Sequence, residues 1–253
     1  MRVFSNEKIA LNIYSLTFES TSALLKSLPG QFVNINVDGE NPPFFRRPFS
    51  IADVRDDSIE IIYEVVGIGT WHLSTIGVGD NIDIIGPLGS GYDLNFGESK
   101  YILIGGGIGL PPLMFLYNKM KEQGIEPQFL VGFKSVAHNY MPRKITNIQY
   151  SSDDGSLGAK GYVTDLLTAS LFKLEVKHIY ACGPEPMLSK VIEIADENEI
   201  RCSVSVENVF GCGTGICLGC IIENSLKRIT ETGRKYSLVC KEGPVFDSGD
   251  INL

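Results

Sequence analysis

Over residues 1 to 97 apolar and polar side chains alternate in short runs: VFSNEKIALNIYSLTFE, QFVNINV, FFRRPFSIADV, SIEIIYEVV and NIDIIGPLG. A period of two belongs to half-buried strands. Turn signals at Pro29-Gly30, Asp38-Gly39 and Asp56-Asp57 separate the runs, and many short strands with Gly-rich turns predict an antiparallel β-barrel. The pattern changes near Ser99-Lys100. YILIGGGIG is an apolar strand that closes in glycines, and LPPLMFLYNKMKEQG carries helical spacing. Strand character returns at Gln128–Gly132 and in HIYAC, helical spacing in LSKVIEIADENE, and RCSVSVE reads as a last strand. That alternation predicts an open parallel sheet. From Asn208 the chain becomes a cysteine-rich tail. The expected class is therefore multidomain, β plus α/β: a barrel over 1–97, a parallel-sheet domain over 98–206 and a small C-terminal lobe over 207–253.

Composition narrows the function classes. At 253 residues the chain exceeds the roughly 150-residue prior for one domain. A hydrophobic fraction of 43% and a charged fraction of 21% describe an ordinary soluble protein. The 27 Gly and 12 Pro fall in discrete clusters, which points to turns and to backbone approaching ligands closely. A net charge of -8 without a long basic run excludes nucleic acid as an expected partner. The N-terminal segment reads as strand rather than signal peptide. The longest apolar run, YILIGGGIGLPPLMFLY, is broken by glycines and prolines and makes a poor membrane span. A cytosolic protein is expected, and in that compartment six cysteines do not suggest a disulfide framework.

Four of those cysteines lie in the last 42 residues, as Cys212-x4-Cys217-x2-Cys220-x19-Cys240. This is the plant-type C-x4-C-x2-C…C spacing of a [2Fe–2S] cluster. Gly211, Gly213, Gly215 and Gly219 suit a loop that must wrap an inorganic core with its amides aimed at sulfur. Four buried structural cysteines, or a zinc site, are the alternatives; zinc sites more often pair two short C-x2-C turns. Cys182 and Cys202 fall outside the pattern, and Cys202 reads as strand packing.

Further upstream, Arg46-Arg47-Pro48-Phe49-Ser50-Ile51 offers a planar guanidinium fork for phosphate or carbonyl oxygens, a stiff turn and a hydroxyl. Taken alone, the arginines fit a solvated surface pair equally well. GIGTWHLS (67–74) adds amide donors at a strand-to-helix junction, a natural phosphate seat. Gly105-Gly106-Gly107-Ile108-Gly109 closes a strand and opens a helix. It is not the G-x-G-x-x-G fingerprint, and a tight packing turn is its plain alternative. Cys182-Gly183-Pro184-Glu185-Pro186-Met187 repeats the arrangement after HIYAC, and open parallel sheets bind ligands at such carboxyl ends.

In this order, RRPFSIAD, GIGTWHLS, GPLG, GGGIGLPP and CGPEPM resemble the ferredoxin–NADP reductase superfamily. The tail GCGTGICLGC…CKEGPVF is similar to the iron–sulfur electron-transfer subunits of dihydroorotate dehydrogenase B. The resemblance covers nearly the whole chain. It implies an FAD-binding barrel, an NAD(H)-binding domain and a [2Fe–2S] lobe. Arg47, Pro48, Phe49, Ser50 and Ile51 would hold the flavin, with Gly69 and Thr70 near its diphosphate. Gly106, Gly107 and Gly109, with Cys182, Gly183 and Pro184, would face the nicotinamide nucleotide, and Cys212, Cys217, Cys220 and Cys240 would bind iron. The implied partner is an FMN-containing catalytic subunit that oxidises dihydroorotate, in a heterotetramer serving pyrimidine biosynthesis.

A related group, the small subunits of NADPH-linked ferredoxin or sulfide oxidoreductases, shares this plan but commonly carries Asp at the first cluster position. Cys212 favours the dihydroorotate branch. A non-catalytic iron–sulfur module that has kept the fold is the alternative from another class. An electron relay needs no nucleophile or general base, and none is evident. His72, His138 and His178 read as surface or structural residues, Glu207 as a residue at the core edge or beside the flavin, and Lys134 as a strand-end lysine within possible reach of a 2′-phosphate.

Overall fold

The computed structural model describes residues 1–37, 45–97, 99–172 and 174–253. The expected turn at Asp38-Gly39 lies outside the described residues. The first part of the chain forms strands β1 (Val3–Ala10), β2 (Ile13–Glu19), β3 (Phe32–Ile35), β4 (Arg47–Arg55) and β5 (Ser58–Glu64), helix α1 (Ile68–Thr75) and strand β6 (Ile84–Leu88). They make a six-stranded antiparallel sheet in the order β1-β2-β5-β4-β3-β6. Its two ends are drawn together: Arg2 bridges Asn81, and the Val3 N–H donates to the Asp80 carbonyl at 2.8 Å. The curl wraps Leu16, Phe18, Ile35, Ile51, Ile59 and Ile61, all fully buried, into one core. The first alternating run is two strands, because Ala10 pairs with Ile13 across a tight turn at Leu11-Asn12. Asn12 takes φ 58°, a left-handed conformation that asparagine tolerates better than most residues.

The second part contains β7 (Lys100–Gly106), α2 (Leu110–Glu122), β8 (Gln128–Phe133), β9 (Ile148–Ser152), β10 (Ala159–Lys160), α3 (Val163–Leu171), β11 (Val176–Cys182), α4 (Glu185–Glu197) and β12 (Arg201–Ser205). All these strands run parallel, in the order β10-β9-β8-β7-β11-β12. The order reverses about β7, so the crevice between the ends of β7 and β11 is the topological switch point, where such sheets bind ligands. Helix α2 starts on Pro111 and Pro112, at positions whose N–H groups have no intrahelical partner to lose. Phe115 of α2 reaches into the barrel core, while Leu113, Leu116 and Met120 pack on the parallel sheet. A helix apolar on nearly every side is thus shared between both sheets. Asn118 on α2 also donates to Asp53 of β4 at 3.2 Å.

The tail folds as β13 (Ile221–Glu223), α5 (Leu226–Thr232), β14 (Tyr236–Leu238) and β15 (Val245–Asp247). Strands β13 and β14 form a hairpin ladder, whereas β15 joins the edge of the parallel sheet, antiparallel to β12. Cys220, Cys240, Val239 and Phe246 pack into the same core as Val204 and Ile179. Among the described residues no helix is long and apolar enough to cross a membrane.

Candidate functional site

A cavity of about 470 Å³ opens where barrel, parallel sheet and tail meet. Arg47, Pro48, Phe49 and Ser50 line it from β4, Thr70 from α1, Gly109 and Cys182 from the switch point, and Glu207 and Phe210 from the tail. The two arginines part company here. Arg46 pairs with Asp83, its guanidinium also donating to the Asp83 carbonyl at 2.9 Å. Arg47 stays at the cavity and donates to the Phe45 carbonyl at 2.7 Å. Ile51 lies behind the wall in the barrel core, fully buried. The Thr70 hydroxyl accepts from the Val66 and Gly67 N–H groups at 2.9 and 3.2 Å, fixing the start of α1. Gly69 is buried in that first turn.

A second cavity of about 450 Å³ lies on the other side of the switch point, lined by Gly106, Gly107, Lys134, Asp153, Tyr162 and Pro184, among others. The turns after β7 and β11 form the partition between the cavities. They touch: a Cβ on Gly109 would stand 2.6 Å from the Cys182 carbonyl oxygen, so only glycine permits the approach. Gly183 packs against Met187 in the same seam, and Tyr140 donates to the Gly107 carbonyl at 2.8 Å. Burial pushes the Cys182 thiol up to about 12, which keeps it neutral at the wall. Burial likewise raises the Glu207 carboxyl.

The four tail cysteines fall in two contacting pairs, Cys212 with Cys217 in the loop ahead of β13 and Cys220 with Cys240, which follows β14. The Cys212 Sγ accepts from the N–H groups of Thr214, Ile216 and Cys217, each at 3.4 Å. The Cys217 Sγ accepts from Cys212 N–H, and the Cys220 Sγ from Cys240 N–H, also at 3.4 Å. The Thr214 side chain and these amides draw the Cys212 thiol down to about 5, whereas burial holds Cys240 up at about 12. Cys217 is exposed and Cys220 and Cys240 are buried, so the site has one wet rim and one dry floor. Four cysteines, three of whose sulfurs accept from backbone amides, fit an iron–sulfur core. Among the described residues no three or more His, Cys, Asp or Glu side chains close about a single ion; a two-iron cluster asks only two thiolates of each iron.

The three histidines and Cys202 lie outside both cavities. His178 donates to or accepts from Ser203 Oγ at 2.8 Å and stacks on Tyr180, and burial pulls it down to about 4. His138 bonds Ser135 at 2.9 Å, and His72 buries its Nε2 beside Trp71. Cys202 is core packing. Phe32, Tyr63, Glu64, Ser205, Asn208 and Pro244 also line the first cavity, and their sequence context marks them only as strand or loop residues.

Residues 207–252 match the iron–sulfur cluster binding domain of dihydroorotate dehydrogenase B. The electron transfer subunit of dihydroorotate dehydrogenase B (NAD(+)) from Caldanaerobacter subterraneus subsp. tengcongensis is 36% identical, covering 99% of this chain and 96% of the relative. The chain belongs to that family. The same subunit from Shouchella clausii is 33% identical over 100% of this chain. Among solved structures, one from a study of the NADH-dependent reduced ferredoxin-NADP oxidoreductase superposes with a TM-score of 0.86 at 27% identity, over 99% of this chain and 89% of that one. Cytochrome P450 reductase GcoB of Amycolatopsis, TM-score 0.65 at 21% identity over 79% of this chain and 65% of that one, shares the fold. The chain is thus a ferredoxin-reductase-like oxidoreductase subunit for FAD and NAD(H), with an iron–sulfur binding domain.

Proposed function

We propose that the chain carries electrons from the FMN of a catalytic partner subunit, where dihydroorotate is oxidised to orotate, through a [2Fe–2S] cluster and FAD to NAD+. The setting is cytoplasmic pyrimidine biosynthesis, and the assembly a heterotetramer. Residues 1–97 seat the flavin, 98–206 the nicotinamide nucleotide and 207–253 the cluster. One observation carries this reading: the turns after β7 and β11 line both cavities, Gly109 and Cys182 on the first and Gly106, Gly107 and Pro184 on the second, and the first extends to Phe210, two residues ahead of Cys212.

When bound, the flavin exchanges a hydride with NAD(H) and single electrons with the cluster. The chain's own residues bind and orient. Arg47 offers its guanidinium to flavin oxygens, Ser50 its hydroxyl, and the start of α1 its free amides to the diphosphate. Gly106 and Gly107 let the nucleotide lie against bare backbone beside Pro184, while Gly109 and Cys182 hold the two turns in contact. Cys212, Cys217, Cys220 and Cys240 hold iron, and the loop amides stabilise charge on sulfur. Val209, Ile216 and Leu218 stand 61–82% exposed in and beside the cluster loop. Leu218 does so from a left-handed backbone, φ 55°, which costs a leucine roughly 1–2 kcal/mol. An apolar rim of this kind suits the face that the partner covers.

Purified chain is expected to show flavin and [2Fe–2S] absorbance and to reduce dyes with NADH unaided. With the co-purifying FMN subunit, dihydroorotate should reduce NAD+. A spectrum without flavin bands would leave only a non-catalytic iron–sulfur module. The likeness to the NADH-dependent reduced ferredoxin-NADP oxidoreductase structure supports a second reading, and reduction by ferredoxin but not by dihydroorotate would select it.

A further inference from the structure

The middle of β3 carries a polar side chain where the barrel has no use for one. Asn34 is fully buried, and its Nδ2 donates to the backbone carbonyl of Cys212 at 3.1 Å. Its Oδ1 is buried without a partner among the described residues. The carbonyl fixes which way the amide faces, since the reverse orientation would set oxygen against oxygen. Leaving a buried acceptor unsatisfied is unfavourable, so an apolar residue would serve the barrel better. The side chain is explained by what it grips.

The grip belongs to a longer seam. Phe32, two residues earlier on the same face of β3, packs on Phe210 with ring centroids 5.1 Å apart, two residues before Cys212. The tail therefore runs along β3 in step, with an apolar contact followed by a polar one. Gly213 presses on the same amide: a Cβ there would stand 2.3 Å from Asn34 Nδ2. On its other side Asn34 pairs with Pro48 of β4, whose residues line the first cavity.

We infer that Asn34 is a positioning residue that fixes the first cluster ligand against the flavin-binding strands, and so sets the cluster's separation from the flavin and its electronic surroundings. The inference rests on the reading of Cys212 as an iron ligand. Removing the donor strands the Cys212 carbonyl and lowers the docking equilibrium constant of the loop roughly tenfold to a hundredfold.

The test uses the full chain carrying both cofactors, with Asn34→Leu, which keeps the shape and loses the donor, and Asn34→Asp measured at high pH, where the ionised carboxylate cannot donate. FAD content reports folding. In both variants the cluster is expected to show altered EPR g values and a shifted midpoint potential, and its reduction by NADH in stopped flow should slow severalfold. Variants that retain FAD and match wild type in g values, potential and rate would overturn the inference. Should a variant lose FAD, wild-type chain labelled with 15N-asparagine decides. The Asn34 side-chain NH2 pair is expected to resist solvent exchange and to shift on cluster reduction; a fast-exchanging, unshifted pair refutes the role. Wild-type protein without a [2Fe–2S] signal would instead remove the cysteine assignment, an outcome visible before any variant is made.

Discussion

Replacing Gly109 by alanine places a methyl group in the partition between the two cavities. Its Cβ would lie 2.6 Å from the Cys182 carbonyl oxygen, and 2.7 Å from both the carbonyl carbon and the Gly183 Cα. The backbone at Gly109, φ −75°, is ordinary for alanine, so the effect is one of contact alone. Unstrained contacts of this kind sit near 3.5 Å, so the turns after β7 and β11 must part by about 1 Å. Overpacking of this sort costs about 1–3 kcal/mol of stability. The larger consequence is geometric, because in the proposed function the same turns would seat the two ligands between which a hydride passes. A misplacement of about 1 Å costs on the order of a hundredfold in rate. NADH–ferricyanide reductase activity should therefore fall about that far, with FAD content and the cluster's EPR signal preserved. Wild-type turnover in a folded Gly109→Ala protein would show that hydride transfer does not cross this wall.

Further tests separate the remaining parts. Cys217→Ser should abolish the [2Fe–2S] absorbance and leave FAD bound; loss of both would mean that the tail and the barrel fold as one unit. Arg47→Ala removes a charge-assisted contact worth about 1.5–3 kcal/mol and should weaken FAD retention roughly tenfold to a hundredfold on gel filtration, whereas Arg46→Ala, which breaks only the Asp83 pair, should not. His178 is held down to about 4 from its ordinary 6.5 by burial, reinforced by Arg201. As pH falls below 6.5 the unfolded chain takes up a proton that the folded chain refuses until about 4, so folding weakens by roughly 1.4 kcal/mol per pH unit between them. About 2 kcal/mol is lost at pH 5. Urea melts near pH 7.5 and pH 5 should show it, and His178→Gln should flatten the slope; an unchanged slope refutes the assignment.

The barrel strands and the cysteine set were legible because period-two alternation and fixed ligand spacing are local signals. Strand β9 was not. IQYSS buries two serines, Ser151 at 1% and Ser152 at 0% exposure, so no apolar run announces it. Nothing local tells Arg46 from Arg47; Asp83, far along the chain, decides which one faces the cavity. Asn34 misleads in the same way. In QFVNINV the asparagines alternate with Val33, Ile35 and Val37 and look solvent-facing, yet a loop from near residue 212 covers the face that holds Asn34. The return of β15 rests on three residues, Val245–Asp247, too few for any periodicity to show.

That returning strand also guards the sheet. Strand β12 would otherwise present a free row of backbone donors and acceptors, the kind of border along which chains stick to one another. Strand β15 caps it, is short, and ends on Asp247, which is tied to Arg201 at 3.3 Å. Protection of this edge is therefore entrusted to residues that follow Cys240. A chain trimmed after Cys240 would be expected not merely to lose a ligand's support but to polymerise through its bared margin, so proteolysis at this end should register as turbidity as well as lost colour.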